Sequence, residues 1–118
     1  VNEILDFFKM KIKIATQSGI NRSMIILDPG IGFGKTVEHN FELLSRLNEF
    51  NVLELPIMIG PSRKSFIGIT LDLPPEDRLE GTAAAVSAGV MNGASIVRVH
   101  DVKSMKRVVR IIEKVRNV

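Results

Sequence analysis

The chain has 118 residues, of which 45% are hydrophobic and 25% are charged, and its formal net charge is +3. These values are ordinary for a globular protein of one modest domain. The absence of cysteine excludes a disulfide framework and any thiolate site. The apolar runs are too short to span a membrane, and the first residues predict a helix rather than a secretory leader, so we expect a cytoplasmic protein.

The predicted elements alternate between helices and short apolar strands. In chain order they are a helix over 3–18, a strand over 23–27, a glycine loop over 30–34, a helix over 37–50, a strand over 56–60, a short helical piece, a helix over 77–92, a strand over 95–99 and a helix over 102–116. This alternation predicts parallel strands with right-handed crossovers. The first strand is expected to be buried on both faces. Four residues are expected to face inward on the second helix, namely Phe41, Leu44, Leu47 and Phe50, and Val115 is expected to do so on the last helix.

Unusual polar residues follow each of the three predicted strands. Asp28 ends the first strand, the run Ser62–Ser65 follows the second, and Arg98 and His100 lie at the end of the third. Parallel strands place these positions along one carboxyl edge of the sheet. That edge is where barrel enzymes and open α/β sheets build their sites.

Taken singly, most of these residues have an ordinary structural interpretation. Asp28 could start a turn, Lys64 could be a surface charge, and His100 could be a loop residue. Asp101 is predicted to be the N-cap of the last helix. Arg98 differs, because an arginine inside an apolar strand is costly to bury without an anionic or aromatic partner. Three strand ends with such residues indicate one functional site.

Several other site types are not supported. The stretch Gly34-Lys35-Thr36 resembles the end of a Walker A loop, but Pro29 stands where that motif needs glycine, and no G-x-G-x-x-G pattern fits. Neither metal-ligand spacing nor a Ser-His-Asp arrangement is present, and His39 is expected to face out of its helix or cap it. The basic last helix is expected to be a solvated face, because no aromatic side chains are interleaved with its charges.

Three motifs, in order and over nearly the whole chain, resemble the dihydropteroate synthase family. They run from Ile26 to Thr36, from Ser62 to Phe66 and from Arg98 to Val102. The resemblance implies a (β/α)₈ barrel, of which residues 1–118 are the C-terminal part with strands six to eight and their helices. The N-terminal half of the barrel is expected to be absent from this chain, since a complete barrel takes about 250 residues.

The resemblance also implies a reaction. The family condenses 6-hydroxymethyl-7,8-dihydropterin diphosphate with 4-aminobenzoate to give dihydropteroate and diphosphate, uses Mg²⁺, and is the target of sulfonamides. Mg²⁺ is expected to be bound mainly through the diphosphate and the N-terminal half, with no metal ligand in this chain. A homodimer is expected, with neither nucleic acid nor membrane as a partner.

Residue roles follow from the resemblance alone. Asp28 would accept hydrogen bonds from the pterin, Lys64 would donate to the pterin and flank the aminobenzoate, and Arg98 would lie on the pterin face and reach the diphosphate. His100 would contact the diphosphate. Ser65 would take the aminobenzoate carboxylate. The ring of 4-aminobenzoate would pack against Phe33. The catalytic residues expected are thus Lys64, Arg98 and His100, and the resemblance assigns no role to Ser62 or Arg63.

The isolated chain is expected to be inactive, because it would hold about half of a pocket. Three other interpretations stay open. The chain could belong to a pterin-binding methyltransferase barrel, although the motifs after the second and third strands argue against it. It could be a non-catalytic half-barrel that assembles with a separate N-terminal chain or with itself. A nucleic-acid role of the basic last helix is the most distant possibility.

Overall fold

The structure is a computed structural model that describes residues 1–118. Helices dominate it, and two short strands lie between them. The α-helices are α1 (Asn2–Gln17), α2 (Val37–Ser45), α3 (Ser65–Leu71), α4 (Leu79–Met91) and α5 (Val102–Arg116). The strands are β1 (Met58–Ile59) and β2 (Ile96–Val97). Short 3₁₀ helices cover Arg22–Met24, Leu47–Leu53 and Pro75–Asp77.

The extended segments run parallel, as the alternation of helices and strands predicts. In the pair formed by β1 and β2, Met58 lies opposite Ile96. On the other side of β1, Leu27 forms a single parallel bridge with Ile57. The segment that contains β1 is therefore central, and the ends of all three segments point to one edge. An eight-stranded barrel stays a prediction for the complete fold, since these segments form only an open sheet.

The prediction of a first strand buried on both faces is wrong. Residues Arg22–Met24 form a 3₁₀ helix, which starts where the side chain of Asn21 accepts a hydrogen bond from the Ser23 N–H at 3.0 Å. Met24 is 76% exposed and Ile26 is 53% exposed. The segment has a neighbour on one side only, so its outer face meets solvent and only the bridge at Leu27 is strand-like.

The second helix is shorter than predicted, because α2 ends at Ser45 and the chain continues as a 3₁₀ helix. Three of its four expected core residues are buried: Leu44, Leu47 and Phe50. Phe41 is exposed, against the prediction, because it lies at the rim between α2 and α3. Its ring meets the Phe66 ring edge-on, with 5.3 Å between the centroids.

Glycines let α4 approach two of its neighbours closely. A Cβ at Gly81 would lie 2.3 Å from Cγ2 of Ile67 in α3, so this glycine serves helix-to-helix contact. The approach to the sheet is made by Gly89, where a Cβ would lie 2.1 Å from Cδ1 of Ile59 in β1.

The last helix, α5, packs on α4 through one apolar face. Met105 is buried there with Val86 and Val90. Val115, predicted to face inward, is exposed because it lies in the last turn, beyond the end of α4. None of the helices combines the length and the apolar composition that crossing a membrane requires.

Candidate active site

The ends of the three extended segments enclose a cleft of about 350 Å³. Five of the six residues that the sequence predicts for the site line it together. The complete lining is Asp28, Ile31, Phe33, Met58, Gly60, Ser62, Lys64, Arg98, Val99 and His100. The exception is Ser65, which is the exposed first residue of α3 and lies outside this lining.

Asp28 shapes a turn with one carboxylate oxygen and leaves the other oxygen open to the cleft. Its Oδ1 accepts a hydrogen bond from the Gly30 N–H at 2.9 Å, which shapes the turn into the glycine loop. The other carboxylate oxygen has no partner within the chain, and the side chain is exposed to the cleft. A carboxylate is purely an acceptor, so this oxygen suits a ligand edge that carries N–H groups.

The glycine loop is held by two side chains that the sequence analysis did not single out for the site. Buried Asn40 accepts a hydrogen bond from the Gly32 N–H at 2.7 Å and donates to the Thr36 carbonyl at 2.9 Å. The Lys35 ammonium donates to the Gly30 carbonyl at 2.8 Å. The sequence carried one sign of this role, because an asparagine on the inner face of a predicted helix has a buried amide that needs hydrogen-bond partners.

Lys64 lies across the glycine loop at the centre of the cleft. Its Nζ donates to the Ile31 carbonyl at 2.9 Å and lies 4.0 Å from the centroid of the Phe33 ring. Partial burial is the main cause that lowers the pKa of Lys64; the Asp28 carboxylate raises it, and the Arg98 cation lowers it again. Ammonium, ring and carboxylate therefore face one another across the same small volume.

Arg98 and His100 follow β2 on the opposite wall. Arg98 avoids the cost of burial without a partner, because its side chain is exposed and lines the cleft. Its guanidinium has no hydrogen-bond or ion-pair partner within the chain, which leaves its donors and its flat face accessible. The ring of His100 is anchored at one nitrogen, with Nδ1 2.7 Å from the Ser62 hydroxyl oxygen.

Ser62 and Arg63, for which sequence reasoning found no role, connect the two walls. Ser62 contacts His100, and Arg63 forms an ion pair with Asp101 at 2.8 Å that raises the pKa of the guanidinium. Asp101 stands at the N-cap position of α5 as predicted, but its side chain caps no helical N–H, because the carboxylate is bound to Arg63.

The side chains of this chain do not fit a resident Mg²⁺ ion. Mg²⁺ prefers several oxygen ligands around one point. No group of three or more His, Asp or Glu side chains converges anywhere in the chain, and Asp28 is the sole carboxylate of the cleft. His39 is exposed on α2, with its backbone N–H bonded to the Thr36 hydroxyl at 3.1 Å.

The charges of the cleft suit a ligand with two different ends. Lys64 and Arg98 supply cationic groups, and His100 adds a ring nitrogen that is free to donate or accept. Asp28, which follows the first of the three extended segments, supplies a hydrogen-bond acceptor at the other end of the cleft. Such a cleft can bind a heteroaromatic ring that carries N–H donors and can also bind anionic oxygens.

The chain is similar to known enzymes that are described as pterin-binding. A family model described as pterin binding enzyme matches residues 1–100. Dihydropteroate synthase of Bacillus subtilis is 44% identical over 115 residues, which are 98% of this chain and 40% of that protein. The chain therefore spans about two fifths of the length of this curated relative.

Solved structures agree in shape as well as in sequence. A Coxiella burnetii dihydropteroate synthase in complex with pteroic acid superposes with a TM-score of 0.97 at 42% identity, covering 99% of this chain and 45% of that one. A Yersinia pestis dihydropteroate synthase with a sulfonamide drug complex superposes with a TM-score of 0.96 at 41% identity, covering 98% and 42%. Because the family model covers most of its length, the chain belongs to the pterin-binding enzyme family.

Proposed function

We propose that residues 1–118 supply the C-terminal part of a dihydropteroate synthase barrel, with strands six to eight. Within a complete barrel, this part would bind the dihydropterin diphosphate and 4-aminobenzoate and assist their condensation. The observation that carries the proposal is the convergence of Asp28, Lys64, Arg98 and His100 on one cleft. The relatives named dihydropteroate synthase support it, as does the pteroic acid bound by the Coxiella burnetii protein.

The pterin ring is the ligand that the Asp28 end of the cleft suits best. Its amino group and ring N–H form a donor edge that the free carboxylate oxygen of Asp28 would accept in charge-assisted bonds. The Lys64 ammonium would donate to the pterin carbonyl and the neighbouring ring nitrogen. The guanidinium of Arg98 would stack on the pterin face, since arginine is weakly hydrated and packs flat on aromatic rings.

4-Aminobenzoate would lie toward the glycine loop. The Phe33 ring is 67% exposed and already contacts the Lys64 ammonium, so the two side chains offer a flat apolar wall with a cation beside it. Ser65 would bind the carboxylate of this substrate from its exposed position at the first turn of α3. Sulfonamides would take the same place, in keeping with the drug complex of the Yersinia pestis relative.

The reaction would be a displacement at the exocyclic methylene carbon of the pterin. The lone pair of the aminobenzoate nitrogen forms the new C–N bond, and the C–O bond to diphosphate breaks with its electron pair leaving on oxygen. The nitrogen then loses one proton to solvent water or to the released diphosphate. His100 and Arg98 would bind the departing diphosphate, where negative charge grows as the bond breaks. No side chain of the chain has to form a covalent intermediate.

Residues 1–118 alone would not catalyse this reaction, because the cleft is open where a barrel would close over the substrates. Measurable dihydropteroate formation by the pure chain would overturn this part of the proposal. The complete enzyme would act in the cytoplasm as a homodimer that pairs through outer helices. It would use Mg²⁺ held outside this chain.

Binding to the chain itself is the direct test. We expect pteroic acid, titrated into the ¹⁵N-labelled chain, to shift the backbone resonances of Asp28, Gly60 and Val99. Asp28→Asn should weaken binding about tenfold, because a charge-assisted hydrogen bond is replaced by a neutral one. The matched control is Asp72→Asn, an exposed site in the left-handed region, which asparagine tolerates. Equal binding by both variants would contradict the proposal.

Activity is measured in a complete barrel. Residues 1–118 replace the matching part of the Bacillus subtilis relative, and the chimera is assayed for dihydropteroate. We expect activity in the chimera and its loss with Arg98→Ala. A folded chimera that binds pteroic acid but forms no product would contradict the proposed reaction while leaving the pterin site intact.

A half-barrel that assembles with a separate chain is a second candidate, and the exposed outer face at Met24 and Ile26 favours it. An apolar edge with a free strand side promotes association. The solution mass is measured for the chain alone and with the N-terminal part of the Bacillus subtilis relative. A one-to-one complex is expected. A monomer that ignores the added part would contradict this candidate.

A further inference from the structure

The consecutive residues Ser62 and Arg63 make two side-chain links between the loops that follow β1 and β2. The Ser62 hydroxyl contacts His100, and the Arg63 guanidinium binds Asp101. Both links join residues 38 positions apart in the chain. The expected roles of the cleft use neither Ser62 nor Arg63, yet together the two residues hold one of its walls against the other.

The contact between Ser62 and His100 bears on which ring nitrogen carries the proton. The backbone N–H of His100 donates to Ser62 Oγ at 3.1 Å, and this oxygen also lies 2.7 Å from His100 Nδ1. Ser62 is 4% exposed, so its own hydroxyl proton needs an acceptor inside the protein. Nδ1 is the acceptor within reach. A neutral ring that accepts at Nδ1 carries its proton on Nε2.

Arg63 fixes the backbone that aims Ser62. Its φ is +56°, a left-handed conformation that is unfavourable for a residue with a side chain. Three bonds hold the residue in that conformation. Its N–H donates to the buried Thr82 hydroxyl at 3.1 Å, its carbonyl accepts from Arg78 at 2.8 Å, and its guanidinium pairs with Asp101. A strained conformation persists only where the surroundings hold it, and the residue that Arg63 directly follows is Ser62.

We propose that Ser62 and Arg63 are positioning residues that hold His100 with Nε2 protonated and directed into the cleft as a donor to anionic oxygen. Ser62 sets the tautomer of the His100 ring, and the ion pair of Arg63 with Asp101 keeps the loops after β1 and β2 in fixed positions relative to each other. The diphosphate part of this inference rests on the proposed function, but the tautomer part does not. Nε2 has no partner within the chain, so it is the nitrogen available to a ligand.

The test uses the ¹⁵N-labelled chain above the titration range of histidine, where both tautomers of the neutral ring are resolved by their ring nitrogen shifts. We expect one His100 tautomer, with Nδ1 unprotonated. Ser62→Ala should give a mixture of both tautomers, and Ser62→Thr, which restores the hydroxyl, should return to one. His39, exposed on α2, is the internal reference. A mixture in the wild type, or no change in Ser62→Ala, would overturn the proposal.

The ion pair is tested separately. Arg63→Gln removes the guanidinium and keeps a side chain of similar length, and we expect it to shift and broaden the His100 ring resonances. Arg46→Gln is the matched control, because Arg46 pairs with Glu42 and Glu49 on an exposed surface. Unchanged His100 resonances in Arg63→Gln, in a variant that stays folded, would overturn the role of Arg63.

Inorganic diphosphate is the probe for the donor role. Its titration should shift the Nε2-bound proton in the wild type, and Ser62→Ala should bind it roughly tenfold more weakly, the effect of one misaligned hydrogen bond. Absence of an Nε2 shift would overturn the donor role. Failure of the chain to bind pteroic acid would contradict the proposed function instead and would leave the tautomer result unchanged.

Discussion

Lys64 lies so close to Gly32 that a Cβ on this glycine would be 2.7 Å from Lys64 Cδ. We therefore expect Gly32→Ala to displace the lysine stem and break the contact of its Nζ with the Ile31 carbonyl. Gly32 has a φ of +87, so the variant also pays for backbone strain. Gly34→Ala is the control, because Gly34 has a φ of +62 and nothing within 4 Å of its Cβ position. Both variants should be destabilised, but only Gly32→Ala should lose affinity for pteroic acid. Equal affinity in the two would show that the close approach is unimportant.

Asn40 should govern the order of the glycine loop. Asn40→Ala removes the acceptor of the Gly32 N–H and the donor to Thr36, and we expect it to lower the free energy of unfolding by about 1–3 kcal/mol. Hydrogen exchange at the Gly32 amide should become faster. Asn48→Ala, at an exposed asparagine of the following 3₁₀ helix, should change neither quantity. Unchanged exchange at Gly32 in Asn40→Ala would contradict this assignment.

The lowered pKa of Lys64 predicts a pH dependence of stability. Partial burial disfavours the ammonium in the folded state, so between the lowered folded pKa and the ordinary value of 10.5 the unfolded chain binds more protons. The contribution of Lys64 to the free energy of unfolding therefore rises as the pH rises through that window. Urea unfolding should show that the free energy of unfolding of the wild type rises relative to that of Lys64→Met as the pH rises toward 10.5. A difference in the free energy of unfolding that does not change with pH would contradict the prediction. Lys9→Met, at an exposed lysine of α1, is the control for the loss of one positive charge.

Gly89 and Ile59 should be energetically coupled, because a Cβ on Gly89 would overlap Ile59 Cδ1. Gly89→Ala should destabilise the chain by about 1–3 kcal/mol through overpacking, although alanine favours a helix. Ile59→Val removes the overlapping carbon and by itself should cost about 0.5–1.5 kcal/mol. In the double variant the two losses should be less than additive. Simple additivity in a double-mutant cycle would mean that α4 shifts away from the sheet instead.

The spacing of residues in the chain predicted much of the fold. Apolar periodicity identified α1 and α5, and the alternation of helix with β-branched runs predicted parallel segments in the correct order. The same pattern predicted that Asp28, Lys64, Arg98 and His100 meet, because the carboxyl ends of parallel strands lie on one edge. These predictions succeeded because the periods of helices and strands are local properties of the chain.

The errors arose where burial depends on neighbours that are distant in the chain. Ile26 and Phe41 are apolar and correctly spaced, but the Ile26 segment has a neighbour on one side only and Phe41 lies at the rim between α2 and α3. For Arg98 the sequence indicated the cost of burial without a partner but not the exposure to the cleft that removes this cost. Composition cannot report which faces of an element are covered.

By itself, the sequence determined the element order, the site edge and the family to which the chain belongs. Only the tertiary structure decided how the site is held together. The tie from Ser62 to His100, the pairing of Arg63 with Asp101 and the anchoring of the glycine loop by Asn40 all depend on side-chain geometry. Such contacts are set by distances of a few tenths of an ångström between groups far apart in the chain, and residue type and spacing carry no information about them.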